Sequence, residues 1–181
     1  MNTSDIAKEA VHIGGLKALE FFNARDKLKI NLKGPQNYVS DADRTVEATI
    51  IEFLRAHFPD DGFLGEESGE VKQARQWVID PIDGTTNFLH GIPHFAICVA
   101  LESKKEIISG LIYDPIKDEM FYAEKNKGAY LNNQRLRVSN RNLIDECLFS
   151  SNHEGVKFSN LNMRYSGCAA LDLSYVASGR L

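Results

Sequence analysis

The chain has 181 residues, 43% of them apolar and 25% charged, enough to bury a sizeable core and too balanced for a disordered, fibrous or miniature disulfide-framed protein. Twenty-one basic and 25 acidic side chains leave a net charge of −4 with no lysine- or arginine-rich stripe, so strong nucleic-acid binding is not expected. The longest apolar run, Phe95 to Leu101, has seven residues, far short of the roughly 20 that span a bilayer. No membrane segment is expected. The start, Met1 to Ile6, has neither the basic residues nor the apolar stretch of a signal peptide, which points to the cytoplasm. Cys98, Cys147 and Cys168 are odd in number and far apart, reading as reduced thiols rather than a disulfide frame or a zinc site.

Between Ser4 and Phe22, Ile6, Ala10, Val11, Ile13, Leu16 and Leu19 recur near helical spacing and predict an amphipathic helix. Asn31 to Tyr38, containing Gly34-Pro35, reads as a turn-rich loop. Ser40 with Asp43 three residues on resembles a capping box, opening a second helix with Val46, Ile50, Phe53, Leu54 and His57 on its apolar face. Pro59-Asp60-Asp61-Gly62 stops it. The period then changes to that of strands: Gly62 to Gly65, Gln76 to Ile79, Phe95 to Leu101, Ile107 to Tyr113, Met120 to Ala123, and a hairpin over Ala129 to Val138 turning at Asn132-Asn133. Ala169 to Ala177 predicts an apolar helix closed by Gly179. Two helices followed by meandering strands predict an α+β fold on a mostly antiparallel sheet.

The chemistry concentrates in Trp77-Val78-Ile79-Asp80-Pro81-Ile82-Asp83-Gly84-Thr85-Thr86-Asn87-Phe88. An apolar strand delivers Asp80, Pro81 stiffens the next step, and Asp83 returns beside Gly84, so two carboxylates can converge at a turn. Alone, such a pair is more often a turn former than a site. Gly65-Glu66-Glu67-Ser68 ends another short apolar strand, however, and can add Glu66 to the cluster. Crowded carboxylates of this kind call for a cation, and hard oxygen ligands suit Mg²⁺. Gly84, Thr85 and Thr86 could offer backbone N–H groups and a hydroxyl to a phosphate.

These segments resemble the inositol monophosphatase family of Mg²⁺-dependent, Li⁺-sensitive phosphatases. The likeness extends to His90-Gly91-Ile92-Pro93-His94-Phe95, Tyr113-Asp114-Pro115, Lys33-Gly34-Pro35, Val39-Ser40-Asp41-Ala42-Asp43 and Gly167-Cys168-Ala169-Ala170-Leu171-Asp172-Leu173. Thr86-Asn87-Phe88 resembles this branch more than the fructose bisphosphatases or 3′-phosphonucleotide phosphatases. The resemblance implies a layered α/β sandwich. It implies that Glu66, Asp80 and the Ile82 carbonyl hold a first metal, and that Asp80 and Asp83 serve a second, in a family that uses two or three ions. Asp43, hydrogen-bonded by Thr85, would act with Glu66 to orient and deprotonate the attacking water. Asp83, Gly84, Thr85, Thr86, Gly167, Cys168 and Ala169 would contact a small phosphate monoester, most simply myo-inositol monophosphate. Lys33 would balance the acidic site, Glu67 would stand just behind it, and His90 and His94 would serve packing or hydrogen bonding.

The resemblance also sets expectations of what differs. The family's later Trp-Asp pair, source of a third carboxylate for the second metal, and a glutamate that contacts the inositol hydroxyls find no counterpart before Leu181. The stretch between His153 and Arg164 is short, and Asn37 stands where aspartate is common. The expected organisation is a lobe over residues 1–145 carrying the metal motifs and the beginning of an incomplete second lobe over 146–181, with impaired phosphatase activity. Two alternatives stand beside it: a 3′-nucleotide or sugar bisphosphate substrate, and a catalysis-independent role as a partner of the transcription antitermination machinery, for which Arg164 is the only local hint. A homodimer is implied by the resemblance alone.

Overall fold

The computed structural model describes residues 2–24, 30–34, 37–152 and 161–181, with segments 30–34 and 37–40 described by backbone only. Helix α1 (Thr3–Asn23) starts at Asn2, whose side chain accepts from the Asp5 N–H at 2.9 Å while the Asp5 carboxylate accepts from the Asn2 N–H. This reciprocal cap satisfies donors that the first helical turn leaves open. The buried side of α1 is lined by small residues, Ala7, Ala10, Gly14, Gly15 and Ala18. They are small because other elements come close: a Cβ on Gly14 would lie 2.6 Å from Ile50 Cδ1, and one on Gly15 2.5 Å from the Tyr113 ring.

Strands β1 (Ile30–Gly34) and β2 (Asn37–Ser40) form an antiparallel pair where a turn-rich loop was expected. Gly34 ends the first of these strands and Asn37 opens the second. Helix α2 (Asp41–His57) follows, with Asp41 and Asp43 in its first turn, where acidic side chains favour the helix N-terminus. The expected Ser40 cap lies outside the described side chains. Val46, Ile50 and Leu54 are buried as expected, whereas His57 is exposed and bonds the Phe53 carbonyl one turn back.

The remaining strands are β3 (Gly62–Gly65), β4 (Gly69–Val71), β5 (Arg75–Asp83), β6 (Ala96–Ser103), β7 (Glu106–Asp114), β8 (Glu119–Glu124), β9 (Gly128–Leu131) and β10 (Gln134–Arg135). They form one eight-stranded sheet in the order β10-β9-β8-β7-β6-β5-β3-β4, antiparallel except for the parallel pair β3 and β5. A short helix α3 (Thr85–Leu89) links β5 to β6, and a separate parallel pair, β11 (Leu148–Ser150) with β12 (Asn162–Arg164), precedes helix α4 (Ala169–Ala177). Gly179 follows α4 in the left-handed region at φ 74°, as its closing role requires.

Side chains alternate across a strand, and the two faces bury different partners. Ile79, Ile97, Val99, Leu111 and Tyr113 join the core formed by α1 and α2; Ala96 and Phe121, with Cys98 and Ile112, pack with Cys168 and Leu171 of the α4 segment. The result is the expected α+β sandwich, helices layered on a mostly antiparallel sheet. Leu173 of α4 is 69% exposed. Among the described residues no helix is long and apolar enough to cross a membrane.

Candidate active site

Parallel pairing of β3 with β5 sets Gly65 against Ile79, and the Glu66 N–H donates to the Ile79 carbonyl at 3.2 Å. The pairing stops there while β5 runs on to Asp83, and the next residue on each side, Glu66 and Asp80, is an acid. Asp80 and Asp83, three apart, would face opposite sides of a regular strand. The β5–β6 register corrects this: Asp80 pairs with Cys98 and Asp83 with Ala96, so β5 spends an extra residue there. Such a bulge re-aims side chains, and Pro81 within it has no N–H to lose. Both carboxylates consequently line one cavity of about 550 Å³ on the α4 side of the sheet.

The cluster's electrostatics follow from this crowding. Burial first, then the neighbouring Glu66 and Asp83 charges, push the Asp80 carboxyl up to about 8 against the opposing Ile82 N–H, which donates to its Oδ1 at 3.1 Å. Crowding of the Asp80 and Glu66 carboxyls favours a proton held between them over two adjacent charges. Burial and the same acids raise the Cys98 thiol well above its usual range. Among the described residues no group of three His, Cys, Asp or Glu side chains is closed tightly enough to hold an ion as it stands. The donor set nevertheless fits Mg²⁺: hard oxygens only, with a charge surplus that a bound proton now relieves.

Asp83 is drawn toward α4. Its Oδ2 accepts from the Ala170 N–H at 2.6 Å and from the Cys168 thiol at 3.1 Å, a carboxylate seated at a helix N-terminus. Gly84 makes the turn from β5 into α3 at φ 93°, and a Cβ there would lie 3.2 Å from the carbonyl oxygens of both Gly167 and His94. Asn87 completes the junction by donating from Nδ2 to the His94 and Ser166 carbonyls, each at 2.8 Å. The structure thus brings Gly84, Gly167 and Cys168 together, with Ala169 and Thr86 exposed beside them.

The Thr85 hydroxyl departs from expectation. Its single proton goes to the Ile82 carbonyl at 2.9 Å rather than to Asp43, because the bulge turns that carbonyl toward the start of α3. Asp43 itself is 3% exposed in the first turn of α2. Burial and Lys117 push the His94 imidazole below its usual value, and His94 packs against the Tyr175 ring. His90 and Arg164 are exposed, with Arg164 donating to the adjacent Met163 carbonyl. The Lys33 and Asn37 side chains lie outside the described residues.

One residue was missed altogether. Glu47 is 1% exposed, and its carboxylate accepts from the Glu67 N–H at 2.9 Å and the Ser68 N–H at 2.8 Å, directly under the turn that carries Glu66. The signal was present in the spacing: Glu47 shares a helix face with Asp43, Ile50, Ile51 and Leu54, so an acid occupied a position in the buried stripe.

The model of the inositol monophosphatase family matches residues 2–181. The chain is 42% identical to an inositol-1-monophosphatase of Rhizobium meliloti (strain 1021), the match covering 97% of the chain and 73% of that protein. It is 36% identical to the Nus factor SuhB of Pseudomonas aeruginosa, again over 97% of the chain and 73% of that protein. The extragenic suppressor protein SuhB from Bartonella henselae superposes with a TM-score of 0.90 at 39% identity, over 97% of the chain and 74% of that structure.

Proposed function

The chain belongs to the inositol monophosphatase family, and from that premise we propose that it hydrolyses a small phosphate monoester, myo-inositol monophosphate first among them, with Mg²⁺. The observation that carries the reading is the carboxyl cluster where the β3–β5 pairing stops, in which Glu66 and Asp83 crowd the buried Asp80 and push its carboxyl up to about 8. Glu66, Asp80, the Ile82 carbonyl and Asp83 are the residues that would hold the metal. Bound there, Mg²⁺ would neutralise the acids, activate water and stabilise the leaving oxygen.

The chain's own residues do the rest. Asp80 gives up its proton when the site is loaded. Asp83, with Oδ2 fixed by the Ala170 N–H and the Cys168 thiol, keeps Oδ1 for the site. Thr85, whose proton goes to the Ile82 carbonyl, would use its oxygen lone pairs to orient the attacking water together with Glu66 and Asp43. Gly84, Thr86, Gly167 and Ala169 line the approach for the phosphate ester. The test is phosphate release from myo-inositol monophosphate across a Mg²⁺ titration, expected to vanish in Asp80→Asn. Metal-independent release, or full activity in that variant, would refute the assignment.

A second reading is favoured by the relatives named Nus factor SuhB: a protein partner in transcription antitermination whose binding does not need catalysis. It predicts capture of transcription factors that survives Asp80→Asn, whereas the phosphatase reading makes that substitution decisive.

A further inference from the structure

We infer that Glu47 is a positioning residue for the proposed Mg²⁺ site, acting through the backbone that aims Glu66. The inference rests on the metal reading above. Burying a carboxylate carries a desolvation penalty of several kcal/mol, which must be offset by what the group binds. Both hydrogen bonds described for the Glu47 carboxylate come from consecutive backbone N–H groups, those of Glu67 and Ser68, immediately after Glu66. On the other side, Gly65 is held in the β3–β5 register and the Glu66 N–H is held by Ile79. Glu66 is exposed, yet its backbone is fixed before and behind, so the direction in which its side chain leaves the chain is set by groups outside the acid cluster.

Gly65 gives an independent view of the same contact. A Cβ at that position would lie 2.4 Å from Glu47 Oε1 and 2.6 Å from Ser68 Oγ. Glycine is therefore what lets the Glu47 carboxylate pass beneath the turn. A helix residue, a strand end and the turn after it are fitted to one another, and the ligand they present is Glu66. Groups of this kind, which orient a metal's ligands without touching the metal, typically govern affinity by about 10- to 100-fold.

The experiment is a calorimetric Mg²⁺ titration of the wild-type chain, Glu47→Gln, Gly65→Ala and Gly14→Ala, at a temperature where Trp77 fluorescence shows each to be folded. Glu47→Gln keeps the shape and one of two acceptor oxygens. Gly65→Ala displaces the carboxylate from the other side. Gly14→Ala crowds Ile50 between α1 and α2 and serves as a destabilised control away from the cluster. The expected result is a Mg²⁺ Kd weakened by about 10-fold or more in Glu47→Gln and Gly65→Ala and unchanged in Gly14→Ala. Loss of thermal stability in the first two with wild-type Mg²⁺ affinity would reduce Glu47 to a structural support and overturn the inference. Absence of Mg²⁺ binding by the wild-type chain would instead remove the metal reading, and the inference with it.

Discussion

Asp80→Asn is expected to make the metal-free chain more stable at neutral and alkaline pH, an unusual direction for a change at a buried polar group. In the folded chain the Asp80 carboxyl is raised to about 8, against 3.8 for the ordinary side chain. The folded state thus holds a proton that the unfolded state has released, and stability falls as pH rises through that interval. One proton corresponds to about 1.4 kcal/mol per pH unit, so the ceiling between pH 5.5 and 7.5 is about 3 kcal/mol. Sharing of the proton with Glu66 and partial access of water lower this to about 1–2 kcal/mol, or roughly 2–8 °C in Tm for a chain of this size. The asparagine cannot ionise, and its Oδ1 still accepts from the Ile82 N–H, so the slope should flatten in the variant. The assay is thermal unfolding followed by Trp77 fluorescence in EDTA at constant ionic strength, for both proteins from pH 5.5 to 8. Adding Mg²⁺ should reverse the wild-type trend, stabilising most at high pH, and should release a proton detectable from the buffer dependence of the binding heat. Identical pH slopes in the two proteins, or a variant less stable than wild type in EDTA at pH 7.5, would refute the reasoning.

Gly84→Ala places a side chain at φ 93° beside the Gly167 and His94 carbonyls and should cost about 1–3 kcal/mol in urea unfolding, with weaker phosphate-ester binding because Thr85 and Gly167 are displaced together. Asn87→Ala removes two hydrogen bonds, one from α3 to the His94 carbonyl before β6 and one to the Ser166 carbonyl before α4; a loss of about 1–3 kcal/mol is expected, with earlier proteolysis around Ser166 as the second readout. Asp61→Ala breaks the 2.8 Å bond from Trp77 Nε1 and the Arg75 ion pair at the opposite ends of β3 and β5; it should cost about 1–3 kcal/mol, shift Trp77 emission and leave the Mg²⁺ Kd unchanged.

What the sequence reveals here depends on whether a residue's role is local. Except for β4, three exposed residues with no apolar alternation to mark them, the strands from Gly62 to Arg135 announce themselves by alternation and turn residues, and α4 by an apolar run closed with Gly179. The acids Glu66, Asp80 and Asp83 stand out because carboxylates follow apolar strands. The β1–β2 pair was hidden because Gly34-Pro35 is equally good chemistry for a loop, and α3 because five residues are too few to show a helical period. The Thr85 proton could not be assigned without the bulge that places the Ile82 carbonyl in front of it. Glu47 was overlooked because charge within a helix usually means solvent, although its place in the buried stripe argued otherwise.

The sequence separations within the site bear on how it comes into being. Glu66 and Asp80 meet through the neighbouring strands β3 and β5, while the Asp83–Ala170 bond spans 87 of the chain's 181 residues. Contacts over such distances pay the larger loop-closure entropy and are expected to form late. A half-assembled molecule would already carry the crowded acid pair, yet would lack the α4 clasp on Asp83. Tight ion binding should accordingly arrive last in refolding, after the sheet has formed, so that capture of the cation marks the finished protein rather than guiding its early steps.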